Sequence, residues 1–291
     1  MLTAKMTARI AIVGDIHGHW DDWDARYFSR EPYDLMLVTG DLGSGSSDHG
    51  VRIARSLGRV ARRGLIMPGN NDVVHAAQIA AEIGHQRGLA SLLRHGGGAA
   101  EHAAGEVHVC GYSVHPFEFA GRALSVLAAR PYSRGGPELS YATELRERFG
   151  VSSMHDSTVR LCALIDRVQT RDLIVLAHNG PTGLGASATD LWGRDFTAEQ
   201  GDWGDPDLTA ALAYARARDK RILAVVAGHM HTRTRNGEQR SWQDTRDGTL
   251  YINAARVPRI WEEHSGKYRH HIELHVDERV RVRELIVREP D

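Results

Sequence analysis

Five short apolar runs constrain this chain most, because each breaks off at its C-terminal end into polar, ion-binding side chains. They are "RIAIVG" (9–14), "DLMLVTG" (34–40), "GLIMPG" (64–69), "DLIVLAH" (172–178) and "RILAVVAGH" (221–229). All are rich in Val, Ile and Leu and lack the alternation of a half-exposed strand, so they read as strands covered on both faces. Helix-like stretches lie between them at 21–29, 48–63, 72–85, 152–172 and 204–220, the last opening on an acidic turn with Pro206. Strands alternating with helices predict an α/β fold.

The residues just past each run are more telling than the runs themselves. The first run delivers Asp15 and His17, the second Asp41, the third Asn70, the fourth His178, and the fifth His229 and His231. In an α/β sheet the ligand site lies beyond the C-terminal ends of the strands, where these side chains converge. Singly, each has a plainer reading: Asp and Asn form turns and caps, and a lone His is more often structural. The joint pattern, each member past a strand and most preceded by Gly, makes coincidence the lesser reading.

The chemistry of the set is specific. Two carboxylates, one amide oxygen and four imidazoles, with no thiolate, favour Mn, Fe, Zn, Co or Ni over a pure Ca or Mg cage. They also argue against a cysteine-type structural zinc site. Seven groups exceed the needs of one catalytic ion, so two ions with one bridging group is the natural arithmetic. Two such ions roughly 3.5–4 Å apart can clamp an in-line displacement at phosphorus.

The remainder of the chain adds boundaries. Gly-rich stretches at 86–105 and 179–204 read as loop insertions in a single domain spanning 1–291, and loops that long are more often functional than idle. Three tail segments, "GTLYINAARVPRI", "YRHHIELHVD" and "RVRVRELIVRE", predict half-exposed antiparallel strands, the last two joined around Asp277. A formal net charge of −1 argues against a protein that grips nucleic acid chiefly by neutralising phosphates. Cys110 and Cys162 sit among apolar neighbours and outside any C-x-x-C pair, as buried free thiols do. The N-terminal apolar run is too short for a signal peptide and no segment approaches a membrane span, so a soluble, cytoplasmic protein without a membrane partner is expected.

Taken in order, "GDIHG", "GDL", "GNND", "AHNGP" and "GHMH" resemble the five motifs of the calcineurin-like metallophosphoesterases, over residues 14–231. "AHNGPTGLG" with the later "GDWGDPDL" is similar to a poorly characterised bacterial and plant-plastid branch of that superfamily. The resemblance implies a four-layer αββα sandwich of two mixed sheets flanked by helices. It also implies a dinuclear centre: Asp15, His17 and His231 on one metal, Asn70, His178 and His229 on the other, and Asp41 bridging. Mn or Fe would come first, then Zn, Co, Ni or Mg. The implied reaction is hydrolysis of a phosphomonoester or phosphodiester of a phosphorylated small molecule, by attack of a metal-bridging hydroxide. A metal-dependent nuclease or cyclic-nucleotide phosphodiesterase is the variant within the enzyme class. A non-catalytic scaffold keeping the fold is the alternative of another class, and every expected ligand position is filled here.

One position departs from the family pattern. The histidine that follows the motif asparagine in many members is Asn71 here, which donates hydrogen bonds but is no general acid near neutral pH. Esters with poor leaving groups should therefore suffer, tilting the reading toward diesters or good leaving groups. His19, His49, His75 and His115 are candidate replacements, though each reads first as a surface or packing histidine. Asp72 reads as a cap of the next helix or as support for the chemistry. "NGPTGLG" reads equally as a phosphate-facing turn or a plain one, and Arg194, Arg256 and Arg259 as phosphate partners or surface arginines.

Overall fold

A computed structural model describes residues 7–44, 47–60, 63–95, 107–119, 121–197, 199 and 201–290. Two sheets form the centre. In the first, β1 (Ala8–Val13), β2 (Leu35–Val38), β3 (Gly64–Ile66) and β4 (Val107–Val109) run parallel in that order. In the second, β5 (Ser113–Phe119) pairs antiparallel with β6 (Arg122–Ala128), then β7 (Asp172–Leu176), β8 (Arg221–Ala227) and β10 (Thr249–Asn253) continue in parallel. β9 (Gln243–Arg246) closes that sheet antiparallel to β10. The tail completes the first sheet: β12 (Gly266–Val276) pairs antiparallel with β1, with β11 (Ile260–Glu263) and with β13 (Val280–Arg288).

The five apolar runs are unbroken because both faces of their strands are covered. Ile10, Ile12, Leu35, Leu37 and Leu274 of the first sheet meet Val126, Ile174, Leu176, Val226 and Ile252 of the second in a core between the sheets. The alternate residues Ala11, Val13, Met36, Val38 and Ile66 turn outward onto α1 (Asp22–Arg30), α2 (Ser47–Leu57) and α3 (Ala76–His95). On the far side Leu127, Leu173, Val175 and Val225 pack against α4 (Ala142–Phe149), α5 (Met154–Ile165) and α6 (Pro206–Ala217). Four layers result, helix, sheet, sheet, helix. Each buried aliphatic chain contributes roughly 1.5–3 kcal/mol.

Helix ends follow local chemistry. The Asp21 carboxylate accepts from the N–H groups of Trp23 and Asp24, and the Asp24 side chain accepts in turn from the Asp21 N–H, a reciprocal cap for α1. Ser153 caps α5, and α6 begins on Pro206.

Several expectations shift. The helix read over 152–172 ends at Ile165, and the one over 48–63 at Leu57. Residues 86–95 continue α3, a stretch rich in helix formers such as Leu92, Leu93 and Arg94, so the loop expected at 86–105 does not begin where composition placed it. Its remainder, 96–105, lies outside the described residues. The described residues of 179–204 do lack helix and strand, apart from isolated bridges. β12 is not half-exposed: it lies between β1 and β13 and is mostly buried, whereas β13 alternates. Both cysteines are free, Cys110 buried and Cys162 partly so. Among the described residues no helix is long and apolar enough to cross a membrane.

Burial of charge in β12 makes stability pH-dependent. Burial alone would raise the Glu273 pKa, but hydrogen bonds from Arg9 (2.6 Å), His275 and Arg283 (2.8 Å) outweigh it and hold the carboxyl at about 2. Asp21 is likewise held at about 2 against burial by Arg269 and Lys267. Folded-state values below the unfolded ones contribute stability that is complete above the usual carboxylate range and lost on acidification toward 2. The thermal midpoint is therefore expected to fall steadily between about pH 4.5 and 2. Glu273→Gln should lower the midpoint at pH 7 and flatten that acid slope; an unchanged slope in a calorimetric pH series would contradict the assignment.

Candidate metal centre

β1, β2 and β3 of one sheet and β7 and β8 of the other end at the same side of the sandwich, and the motif residues sit in the turns just beyond. The motif resemblance implies two sheets but not which tips belong to which. The structure divides them three and two between sheets, so the site lies where two sheet edges face each other.

Close backbone approach explains the glycines before the motifs. A Cβ on Gly69 would lie 2.2 Å from Asp41 Oδ1 and 2.6 Å from His178 Cε1. One on Gly228 would lie 2.1 Å from Asp15 Oδ1 and 2.5 Å from Thr39 Oγ1. Any larger residue would displace the donors. Three donors themselves, His17 (φ 43°), Asp41 (φ 49°) and His229 (φ 69°), occupy the left-handed region. Non-glycine residues there cost about 1–3 kcal/mol each and gather at functional sites.

Six of the seven side chains form two groups of three, and Asn70 stands beside the second. Asp15, His17 and His231 offer ligand atoms within 4.8 Å of one another, and so do Asp41, His178 and His229. The His17 and His231 Nε2 atoms are 3.2 Å apart, with Asp15 Oδ2 4.0 and 3.9 Å from them. In the second group His178 Nε2 lies 3.0 Å from Asn70 Oδ1 and 3.7 Å from Asp41 Oδ1. Asp41 spans the two: its other oxygen, Oδ2, is 3.5 Å from His17 Nε2.

Ring orientation is set from behind. A carbonyl only accepts, so His178 Nδ1–H donates to Thr39 O at 2.7 Å and leaves Nε2 facing the site. His229 Nε2–H donates to Arg134 O at 3.1 Å and leaves Nδ1 free. Histidines that ligate metals are held in this way. The His229 backbone N–H also donates to both oxygens of Asp15, at 3.0 and 3.2 Å.

Electrostatics favour positive charge at the centre. Burial alone would raise the Asp41 pKa, but the facing His178 and His17 rings and the Asn71 N–H lower it. Burial would lower that of His178, but Asp41 and Asp15 raise it. Burial, reinforced by neighbouring His178, pushes His229 down to about 3, so its ring is neutral at pH 7. Two carboxylates and an amide oxygen among oriented imidazoles form a donor set that fits divalent cations.

The remaining candidates scatter. Asn71 lies at the centre: its backbone N–H and its Nδ2 donate to Asp41 Oδ1 and Oδ2, at 2.8 and 2.7 Å. Asp72 is buried and caps no helix; its oxygens accept from Leu42 N–H and Gly69 N–H, both at 2.9 Å, and so tie the second motif turn to the third. His49 contacts Ser44, His75 contacts Gln78 and His115 contacts Ser113. His19 lends its carbonyl to Arg259. None of these four lines the cleft over the donors.

Arg259 is a correction. It is 1% exposed, and its guanidinium serves Asp24, His19 O and His270 O, so it has no free face for phosphate. Arg256 stacks on Trp261, and Arg194 stacks on Trp203 while donating to Glu199 O. The "NGPTGLG" turn spends the Gly183 N–H on Asp202 and accepts the Asp205 N–H at Gly180 O, closing on itself.

Two features escaped sequence reasoning. One is Arg240, buried behind the site, which donates to the carbonyls of Ala188, Asp190, Gly193 and His231 and pairs with Asp195 at 3.3 Å. It clamps the 179–204 connection to the segment after His231. The other is the cleft wall of Asp195, Phe196, Arg233 and Arg235. Arg233 and Arg235 follow the last motif histidine by two and four residues in "HTRTR", a proximity that could have marked them.

A sequence model of the calcineurin-like phosphoesterases matches residues 8–233. No curated protein gives a significant match. Among solved structures, one superposes with a TM-score of 0.58 at 10% identity, covering 96% of this chain and 99% of the other. The protein TT1561 of Thermus thermophilus superposes with a TM-score of 0.50 at 12% identity, covering 95% and 98%. Identities this low speak to fold alone. Two mixed sheets flanked by helices are the architecture of metallo-dependent phosphatases.

Proposed function

The chain belongs to the calcineurin-like phosphoesterase family, and on that premise we propose that it hydrolyses phosphoesters of soluble small molecules with the aid of two divalent cations. The observation that carries this reading is Asp41, with Oδ1 toward His178 and Oδ2 toward His17. Asp15, His17 and His231 would hold one cation, Asn70, His178 and His229 the other, with Asp41 shared. Mn or Fe suits this set first, then Zn, Co, Ni or Mg. When bound, such a pair supplies a water-derived nucleophile at neutral pH and neutralises charge on the phosphoryl oxygens. Because strands of both sheets contribute donors, we read residues 1–291 as one working domain.

The chain's own residues decide which esters react well. Asn71 anchors both oxygens of Asp41 and fixes the carboxylate plane. It cannot protonate a leaving oxygen, and among the described residues no histidine outside the donor set lines the cleft. Leaving groups that need no proton are therefore favoured. Positioned general acids contribute about 10²- to 10⁴-fold, so aryl phosphates should exceed alkyl phosphates in kcat/KM by at least about 10²-fold. Asn71→His should narrow that gap, and the pH profile of alkyl-ester turnover should gain a basic limb. Equal kcat/KM for aryl and alkyl esters in the wild type would contradict this account of Asn71.

The test of the function itself is turnover of 4-nitrophenyl phosphate and bis(4-nitrophenyl) phosphate after chelation and after Mn is restored. Hydrolysis present with Mn and absent with chelator is expected. No hydrolysis of either ester, nor of a nucleotide, with metal restored would overturn the reading.

A further inference from the structure

Above the donors lies a cleft of about 250 Å³. Its floor is the donor set, and its wall is a separate construction. Residues 232–240 fold back as a tight turn: Thr234 N–H donates to Glu238 O at 2.9 Å, Gly237 N–H to Thr234 O at 2.9 Å and Arg240 N–H to Thr232 O at 2.7 Å. Around the isolated Arg233–Gln239 bridge, Thr232 and Thr234 are buried, whereas Arg233 and Arg235 are exposed and both line the cleft.

The wall is braced rather than loose. Arg235 holds its guanidinium carbon 5.8 Å from the Phe196 ring centroid, and Phe196 stands edge-on to Trp203 at 5.0 Å. Arg240 ties the turn to the 188–195 segment from beneath. Among the described residues the one carboxylate in the wall, Asp195, accepts the Arg235 backbone N–H at 3.0 Å and is neutralised by Arg240 at 3.3 Å. Among the described residues, neither the Arg233 nor the Arg235 guanidinium meets a carboxylate. Two exposed guanidinium groups, that of Arg235 braced on Phe196, thus line a cleft whose wall carboxylate is already committed.

We propose that Arg233 and Arg235 form a subsite for a second anionic group, so that the favoured substrates are phosphoesters that also carry a phosphate or a carboxylate. This inference rests on the phosphoesterase reading. Guanidinium groups bind either anion through paired N–H donors, and such bonds are about twice as strong as neutral ones.

The experiment is competitive inhibition of 4-nitrophenyl phosphate turnover, with Mn in excess, by three-carbon phosphates of increasing charge. Glycerol 1-phosphate has one anion, 3-phosphoglycerate adds a carboxylate, and 2,3-bisphosphoglycerate adds a phosphate as well. Inhibition constants at least about tenfold lower for the second and third than for the first are expected. In the Arg233→Gln/Arg235→Gln variant, whose changed side chains are exposed, that ratio should collapse toward one. The larger of the two steps identifies the preferred anion. Equal constants for all three, or a ratio unchanged by the double substitution, would overturn the subsite while leaving the phosphoesterase intact. Absence of any aryl-ester turnover would instead overturn the phosphoesterase reading and the subsite with it.

Discussion

Asp41→Asn is expected to lower kcat/KM for aryl phosphate esters about 10³-fold, with at most one cation retained per chain. The carboxylate is buried, presents one oxygen to each group of donors, and is met from behind by the backbone and side-chain amides of Asn71. An amide of the same shape removes the charge both cations would share. It also turns an NH₂ toward one of the Asn71 donors, leaving two donors face to face. A metal's electrostatic contribution at phosphorus is several kcal/mol, and about 4 kcal/mol corresponds to about 10³-fold in rate. Volume is unchanged, so any fall in stability should be confined to the facing donors, about 1–3 kcal/mol, and the variant should remain folded. Turnover within tenfold of wild type would contradict the bridging role.

The second large effect is one of stability. Arg240→Met keeps the aliphatic stem packed but removes every donor from a guanidinium that is 1% exposed. The carbonyls of Ala188, Asp190, Gly193 and His231 lose a partner, and Asp195 loses its cation and keeps only the Arg235 N–H. Removing one member of a buried ion pair costs about 3–5 kcal/mol, chiefly through the group left behind. Urea unfolding should report a loss of that size, and proteolysis should cut the 179–204 connection sooner than in the wild type. Arg240→Lys should rescue little, because one ammonium cannot reproduce the planar fork. A loss below about 1 kcal/mol would mean that the clamp is incidental.

What could be read from the sequence was whatever leaves a periodic or positional mark. Strands buried on both faces become unbroken apolar runs, so β1, β2, β3, β7 and β8 stood out, and with them the turns that bring seven donors together. β5 and β6 were hidden. Pro116 argues against a strand interior, yet β5 is the edge of its sheet, where a missing N–H is tolerated. "RALSVLA" suits a helix as well as a strand, and only packing between the sheets decides. The division of the five tips between two sheets was likewise invisible, since a strand's own pattern does not say which sheet it joins.

Charged residues were the hardest to place. Arg259, Arg269 and Arg240 are each 1% exposed, but composition reads any arginine as surface. Burial of this kind depends on partners far away in the chain, such as Asp24 for Arg259, which no local window contains. Arg233 and Arg235 present the opposite case. They are exposed as a surface arginine should be, and what distinguishes them is a rigid turn aimed at the cleft, which appears only in three dimensions.

The most direct test of the two-cation centre measures aryl-ester turnover against the number of Mn ions bound per chain, starting from chelated protein. Background activity is expected without metal, with a rise that reaches its plateau at two ions per chain. A chain that holds two ions and hydrolyses neither the monoester nor the diester would contradict it.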